Sequence, residues 1–216
     1  MAAAGPASLV ALAAARAGRA VQLVGRTGND ATSDSVVLDL SRSGVGHVAL
    51  LRDPTRGTPL EPSFGQEDGA GGPAEGAHST AVPEEATSPE GSASGAAALG
   101  TGPTLDAADV DLGLRYLTDF AVVVLAEPAG SETIAIVAET ARWGGARLVI
   151  VVGAGEDLPG GLAPDAIVFE APDADPDGAF ATLVGTFAAA LDDGSDPGDA
   201  FRASVAADGW TASPDD

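Results

Sequence analysis

Seven consecutive apolar residues, Phe120–Ala126 (FAVVVLA), stop abruptly at Glu127-Pro128. A short valine-rich run closed by a turn pair reads as a strand, and an uninterrupted apolar run reads as a strand covered on both faces. Such a strand needs helices above and below it. The next segment supplies one. Ser131 reads as the cap of a helix reaching Trp143, with Ile134, Val137, Ala138 and Ala141 on one face and Gly144-Gly145 at its end. Arg147–Val152 is the following apolar strand. The spacing predicts adjacent parallel strands joined by a right-handed helical crossover.

The same alternation runs through the rest of the chain. Pro6–Arg16 reads as a helix with Pro in its first turn and Gly18 just past its end. Val21–Val24 is a short strand. Thr32 or Ser33 is the predicted cap of a second helix with Val36, Val37 and Leu40 on one face, ended by Gly44, and Val48–Leu51 is the next strand. Beyond Val152 come a strand at Ala166–Phe169, a long helix marked by Phe180, Leu183, Val184, Phe187 and Leu191, and a last helix from Asp196-Pro197 to about Ala207. Alternating strands and helices predict an α/β layer. Residues 57–104 differ in kind: they hold 10 Gly, 6 Pro and 7 acidic residues, with no Lys or Arg and no apolar period. That composition cannot bury enough surface to offset its ordering entropy, so it reads as a disordered low-complexity insertion. The expected organisation is one domain formed by residues 1–56 and 105–216, interrupted at 57–104.

Charge narrows the partners. The net charge is −22, from 32 acidic and 10 basic residues, and every basic residue is Arg. A polyanion or an anionic membrane surface would be repelled, so the expectation is no nucleic acid and no membrane as partner. No apolar run is long enough to span a bilayer, and Arg16 and Arg19 fall too late for a signal peptide, so a cytoplasmic location is expected. With no cysteine there is no disulfide or thiolate chemistry. The acidic surplus suits a salty, halophilic cytoplasm, where screening shortens the range of self-repulsion.

Several segments carry a resemblance. The opening Ala4-Gly5-Pro6-Ala7-Ser8-Leu9 … Ala15-Arg16-Ala17-Gly18 is followed by Val21–Asp30 (VQLVGRTGND), and Gly44-Val45 precedes the next strand. Later come Val122–Thr133 (VVVLAEPAGSET) and Ala174–Leu191 (ADPDGAFATLVGTFAAAL). In this order they resemble the ribokinase (PfkB-type) family of carbohydrate kinases. Its members show a Gly-Gly-x-x-x-Asn turn opening a helix, then a Gly-x-x-Gly-x-Asp loop, and a final signature of roughly Asp-Pro-Thr-Gly-Ala-Gly-Asp-Ala-Phe. The resemblance implies a ribokinase-like three-layer α/β sandwich with a mainly parallel central sheet. It implies an incomplete one, since strands near the nucleotide site have no counterpart. Family members also carry a strand ahead of the Gly-Gly turn. This chain starts at the turn, and an upstream start codon is the expectation to check there.

The resemblance also assigns candidate residues. Asp175-Pro176 and Gly178-Ala179 match the final signature, which makes Gly178 and Ala179 the nucleotide-binding candidates. Phe180 stands where the family has a second glycine, and Ala181 where it has the Asp that deprotonates the sugar hydroxyl. Leu9 stands at the family's substrate-binding Asn. Glu127 and Asp30 are the substrate-binding candidates that survive. The plainer reading of the same residues is structural: Asp175 and Asp177 cap a helix, Phe180 and Ala181 pack in the core, and Gly25, Gly28 and Asp30 form a tight turn with an N-cap. No catalytic residue is assigned. No metal site is assigned either: the family's Asn-x-x-Glu motif is replaced by Phe169-Glu170-Ala171-Pro172, and His47 and His78 lack partners at ligand spacing. Gly153-Ala154-Gly155 is a weak phosphate-loop match, and Trp143 and Trp210 read as packing residues.

Two functions follow. The first is a carbohydrate-kinase homologue, a pseudokinase with little or no phosphotransfer. It would keep a small sugar-like ligand or a subunit contact, as a dimer or paired with an intact homologue. The alternative is an active ATP-dependent sugar or nucleoside kinase using Mg·ATP and a relocated base such as Asp177.

Overall fold

The computed structural model describes residues 5–58, 103, 105–155, 160, 162–172, 174–175 and 177–207. Its elements in chain order are α1 (Pro6–Arg16), β1 (Val21–Gly28), α2 (Ala31–Arg42), β2 (Val45–Asp53), α3 (Ala107–Arg115), β3 (Val122–Leu125), α4 (Ser131–Gly144), β4 (Arg147–Val152), β5 (Ile167–Glu170), α5 (Ala179–Asp192) and α6 (Pro197–Ala207). All described strand pairs are parallel, as continuous apolar runs separated by helices require. β1 pairs with β2, with Val21 opposite Val45 and Gly28 opposite Asp53. β4 lies between β3 and β5, with Val122 opposite Arg147 and Val149 opposite Ile167. These form two hydrogen-bonded sheets, β1-β2 and β3-β4-β5.

Side chains alternate across the layer and define two covered faces. On one, Val149 and Val151 of β4 and Val122 and Val124 of β3 pack against α5 through Val184 and Phe187, with Val10 of α1 joining them. On the same face, Leu23 of β1 and Val45 of β2 meet Ala11 of α1 and Val36 and Leu40 of α2. On the other face, Leu148, Ile150 and Val152 of β4 pack against Ile134, Val137 and Ala141 of α4. Val110 and Leu114 of α3 belong to that cluster, as does Val24 of β1. The result is a three-layer α/β/α arrangement. Val149, Ile150, Val184 and Phe187 are essentially fully buried, and each large apolar side chain withdrawn in this way contributes roughly 1.5–3 kcal/mol.

The helices approach closely because alanines and glycines line the contacts. A Cβ on Gly185 of α5 would overlap the Val10 carbonyl and lie 2.7 Å from Ala13 Cβ. One on Gly113 of α3 would lie 2.6 Å from Val24 Cγ1. Side-chain polar contacts add direction: Arg26 of β1 pairs with Asp109 of α3 at 3.0 Å. Asp109 also forms a reciprocal capping box with Asp106 at the start of α3.

Several expectations need correction. The N-cap of α2 is Asp30, which accepts from Ser33 N–H at 2.8 Å, so Thr32 and Ser33 lie inside the helix. α4 starts at Ser131 with Gly130 as N-cap, so Ser131 is its first helical residue. Both N-terminal strands are longer than their apolar runs, because Gly25–Gly28 of β1 pair with Leu50–Asp53 of β2 and Val45-Gly46 pair with Val21-Gln22, although glycine has low β-propensity; the register shifts between Gln22 and Val24, opposite His47-Val48. His47 therefore lies within β2. Helix α3 is new; its signal is the Asp106–Asp109 spacing ahead of Val110 and Leu114. Trp143 is 79% exposed at the end of α4 and does not pack; its indole donates to Glu139. Trp210, His78 and nearly all of 57–104 lie outside the described residues.

Candidate functional site

The chain path places the predicted site residues at one end of the layer. Parallel strands share a C-terminal edge, where ligands of α/β sheets collect. Glu127 follows β3 at that edge, and its carboxylate accepts from Ala7 N–H at 3.4 Å, in the first turn of α1. From there α1 runs back to the start of β1, and β1 returns to end at Gly28, next to Asp30. The start of α5 joins the same region: a Cβ on Gly178 would lie 3.2 Å from Leu9 Cδ1 of α1. Glu127, Leu9 and Gly178 thus cluster around two helix N-termini. Asp30 sits at the C-terminal end of the neighbouring strand pair.

The start of α5 is already served by a carboxylate of the chain itself. Gly178 adopts φ +66, the left-handed region that glycine tolerates. This turn carries Asp175 back over the helix start, where its two oxygens accept from Phe180 N–H and Ala181 N–H, each at 3.0 Å. These are first-turn donors with no partner inside the helix, and a carboxylate there also complements the helix dipole. Such a cap typically contributes about 0.5–2 kcal/mol. Phe180 turns away into the core, edge-on to Phe169 with ring centroids 6.4 Å apart, and Ala181 is 2% exposed within the same cluster. Asp177 is exposed beside Gly178. Thr182 folds back onto the helix, its hydroxyl donating to the Gly178 carbonyl at 2.7 Å.

Asp30 is similarly committed. Besides Ser33 N–H, its carboxylate accepts from Thr58 N–H at 2.6 Å and from the Thr58 hydroxyl at 2.9 Å. These backbone donors, Ser33 first and Thr58 second, hold its carboxyl below its ordinary value of 3.8. Gly28 makes the loop fit: a Cβ there would lie 2.7 Å from the Arg56 carbonyl and 2.8 Å from Asp30 Oδ2. Asp30 and Gly28 therefore clamp the segment that follows β2. At the end of that strand Asp53 repeats the device, accepting from the Thr55 hydroxyl at 2.6 Å and Thr55 N–H at 2.8 Å, which lowers its carboxyl as well. In the Gly153–Gly155 turn, Gly155 N–H donates to Glu170 at 2.7 Å.

The sequence-predicted residues thus fall into two groups. Glu127 bonds the first turn of α1 and Gly178, followed by Ala179, abuts Leu9 of the same helix, while Asp30 serves the α2–β2 loop. Sequence reasoning missed Thr58, which sits at the edge of the low-complexity segment yet takes both Asp30 oxygens. Arg26 was missed too; its Nε is buried without a hydrogen-bond partner among the described residues. A cleft of about 500 Å³ lies at the opposite end of the strands, lined by Asp111, Leu117–Phe120, Ile136, Glu139 and Trp143. It touches none of the predicted site residues. Among the described residues no group of three or more His, Asp or Glu could hold a metal ion, and no helix is long and apolar enough to cross a membrane.

No protein-family model matches the sequence, and no curated protein matches it either. Solved structures do resemble the fold. A chain assigned as ribokinase II of E. coli, in its apo form, superposes with a TM-score of 0.57 at 11% identity, covering 95% of this chain and 81% of that one. The form of that protein bound to ATP and Mg²⁺ gives 0.55 at 13% identity, covering 95% and 80%. A chain named Sa239 gives 0.54 at 13% identity, covering 99% and 83%. This chain is therefore a shorter structural neighbour of ribokinase-family chains, and its fold is a ribokinase-like α/β fold.

Proposed function

We propose that this protein is a ribokinase-like homologue with little or no phosphotransfer activity, which retains a ligand-binding or subunit-contact role. The observation that carries this reading is the Asp175 carboxylate on the first-turn N–H groups of α5. Phosphoryl transfer needs such donors free for developing negative charge. Here a phosphate oxygen would displace Asp175 or face it at close range, and like charges at that distance repel strongly. Ala181 offers no proton acceptor where the resemblance places the base, and Phe180 is engaged with Phe169. These residues do not fit Mg·ATP. Glu127 remains the contact for a small polar ligand such as a sugar. It is exposed at the C-terminal edge of β3, with one first-turn N–H of α1 as its bonded partner.

The test measures binding and turnover separately. Titration of the full chain with Mg·ATP at millimolar concentration, in low and molar salt, should leave the melting temperature unchanged, since a ligand that binds only the folded state would raise it. Phosphorylation of a sugar or nucleoside panel should stay at the buffer background. Turnover by the unmodified chain that is lost on Asp177→Asn would overturn this reading and establish Asp177 as a relocated base.

A further inference from the structure

The outer surface of α3 and α4 carries aromatic side chains that pack on nothing. Leu112 lies on α3, Tyr116 follows one turn later at its C-cap, and Trp143 stands near the end of α4, which packs beside α3. These three residues are 46%, 70% and 79% exposed. A single exposed apolar residue is ordinary on a protein surface, but three large ones on one helix pair form a patch. The cleft described above joins them. Asp111 and Leu117, the chain neighbours of Leu112 and Tyr116, line it together with Trp143. Its apolar lining is half-buried Leu117, Phe120 and Ile136. Gly144 lets the Phe120 ring approach α4, since a Cβ there would lie 3.2 Å from Phe120 Cε2.

The polar lining has one sign. Asp111, Asp119 and Glu139 line the cleft, and no basic residue among the described residues does. Asp111 is held by Arg115 at 2.5 Å. Asp119 and Glu139 make no ion pair with any described residue, and Glu139 accepts only the long bond from the Trp143 indole, at 3.4 Å. An indole face and two carboxylates without a cation thus stand at one open cleft.

We propose that this cleft docks an arginine-bearing segment of a partner protein. A planar guanidinium stacks on an aromatic face while its N–H groups donate to carboxylates, which matches Trp143 with Glu139 and Asp119. Leu112 and Tyr116 extend the contact to apolar residues flanking that arginine, as aromatic side chains do at protein interfaces. The cleft is open and the patch continues outside it, more surface than a small cation covers, so the arginine is presented by a larger body. Charge decides against a second copy, because two chains of net charge −22 repel while a basic partner is attracted. The surface is remote from Glu127 and the start of α5, so this inference stands whether or not those residues keep a ligand.

The experiment uses the full chain carrying Trp210→Phe, which leaves Trp143 as its single tryptophan. The probe is the peptide acetyl-Ala-Arg-Leu-Arg-Ala-amide at about 0.15 M salt, where distant charges are screened. The peptide should change Trp143 fluorescence saturably at millimolar concentration, and its Gln-for-Arg counterpart should not. Glu139→Gln should weaken binding about fivefold or more, through the lost charge-assisted hydrogen bond. Glu132→Gln, the same change at the other end of α4, should leave it within about twofold, because an exposed charge so far away is largely screened. Trp143→Ala, followed by backbone-amide NMR, should weaken binding as Glu139→Gln does. No saturable change, or equal losses from Glu139→Gln and Glu132→Gln, would overturn the proposal in favour of diffuse attraction. Arginine amide binding as tightly as the peptide would refute it by making a small cation the occupant. A dimer in light scattering that Trp143→Ala dissociates would refute it by making a second copy the occupant.

Discussion

Replacing Gly185 by alanine tests the close α1–α5 contact by opposing two effects of known size. In an exposed helix the change stabilises by about 1 kcal/mol, because glycine loses more backbone entropy on folding. At Gly185 the new methyl meets the Val10 carbonyl and lies 2.7 Å from Ala13 Cβ. The first neighbour is backbone, held by the α1 helix, and cannot rotate aside. Overpacking of this kind costs about 1–3 kcal/mol, and a clash with main chain belongs at the upper end. The net expectation is a loss of about 1–2 kcal/mol, or a fall in melting temperature of about 2–8 °C for a domain of this size. Gly198→Ala in the exposed first turn of α6 is the control; its Cβ would come no closer than 3.3 Å, to Asp196 Oδ1, and it should gain a few tenths of a kcal/mol or more. Urea unfolding gives both values, with the slope unchanged if only the native packing is altered. Adding Ala13→Gly to Gly185→Ala should restore part of the loss, since it removes the second neighbour but not the first. If Gly185→Ala and Gly198→Ala raise the midpoint alike, α1 does not cross α5 at Gly185 and the packing argument fails.

Two further outcomes follow from the carboxylates. Asp30 has a lowered carboxyl pKa, so its contribution is fully present above the unfolded value of 3.8 and is lost as pH falls through the lower folded value; the stability gap between wild type and Asp30→Asn should be constant near neutrality and shrink only below about pH 4. Asp175→Ala removes both hydrogen bonds to the start of α5 and should lower stability by about 0.5–2 kcal/mol in urea unfolding, with Asp175→Asn intermediate because it keeps one acceptor; no loss in either variant would show that the cap is not formed.

The fold was legible where burial alone determines structure. RLVIVV and the periodic faces of α4 and α5 are placed by the apolar pattern, since a strand or helix with both surroundings apolar has few alternatives; of FAVVVLA only Val122–Leu125 forms the strand, half-buried rather than buried. Elements held by polar contacts were harder to read. β1 extends through Gly25–Gly28 because β2 and the Thr58 loop hold it, and α3 is anchored by the Asp106–Asp109 box and the Arg26 pair. Neither signal survives in a hydrophobic count. At the candidate site, the resemblance drew attention to Asp175–Leu183, and a capping role for Asp175 was legible from its spacing. That both its oxygens are used, and that Thr58 takes both oxygens of Asp30, depends on backbone paths that no local pattern encodes.

The division of the strand layer bears on how the molecule opens. Within each sheet, neighbouring strands are linked by directional backbone bonds that break together. Among the described residues, continuity between β1 and β3 rests on the side chains of α1 and α3 and on the Arg26–Asp109 pair. Such packing is non-directional and yields by sliding, so the two halves need not lose their order at once. The expected outcome is that the β1–α2–β2 unit opens at a lower free energy than the β4-centred half, so that its amides exchange first. Gly113 and Gly185, which bring α3 and α1 close to their neighbours, then set how tightly the two units are coupled.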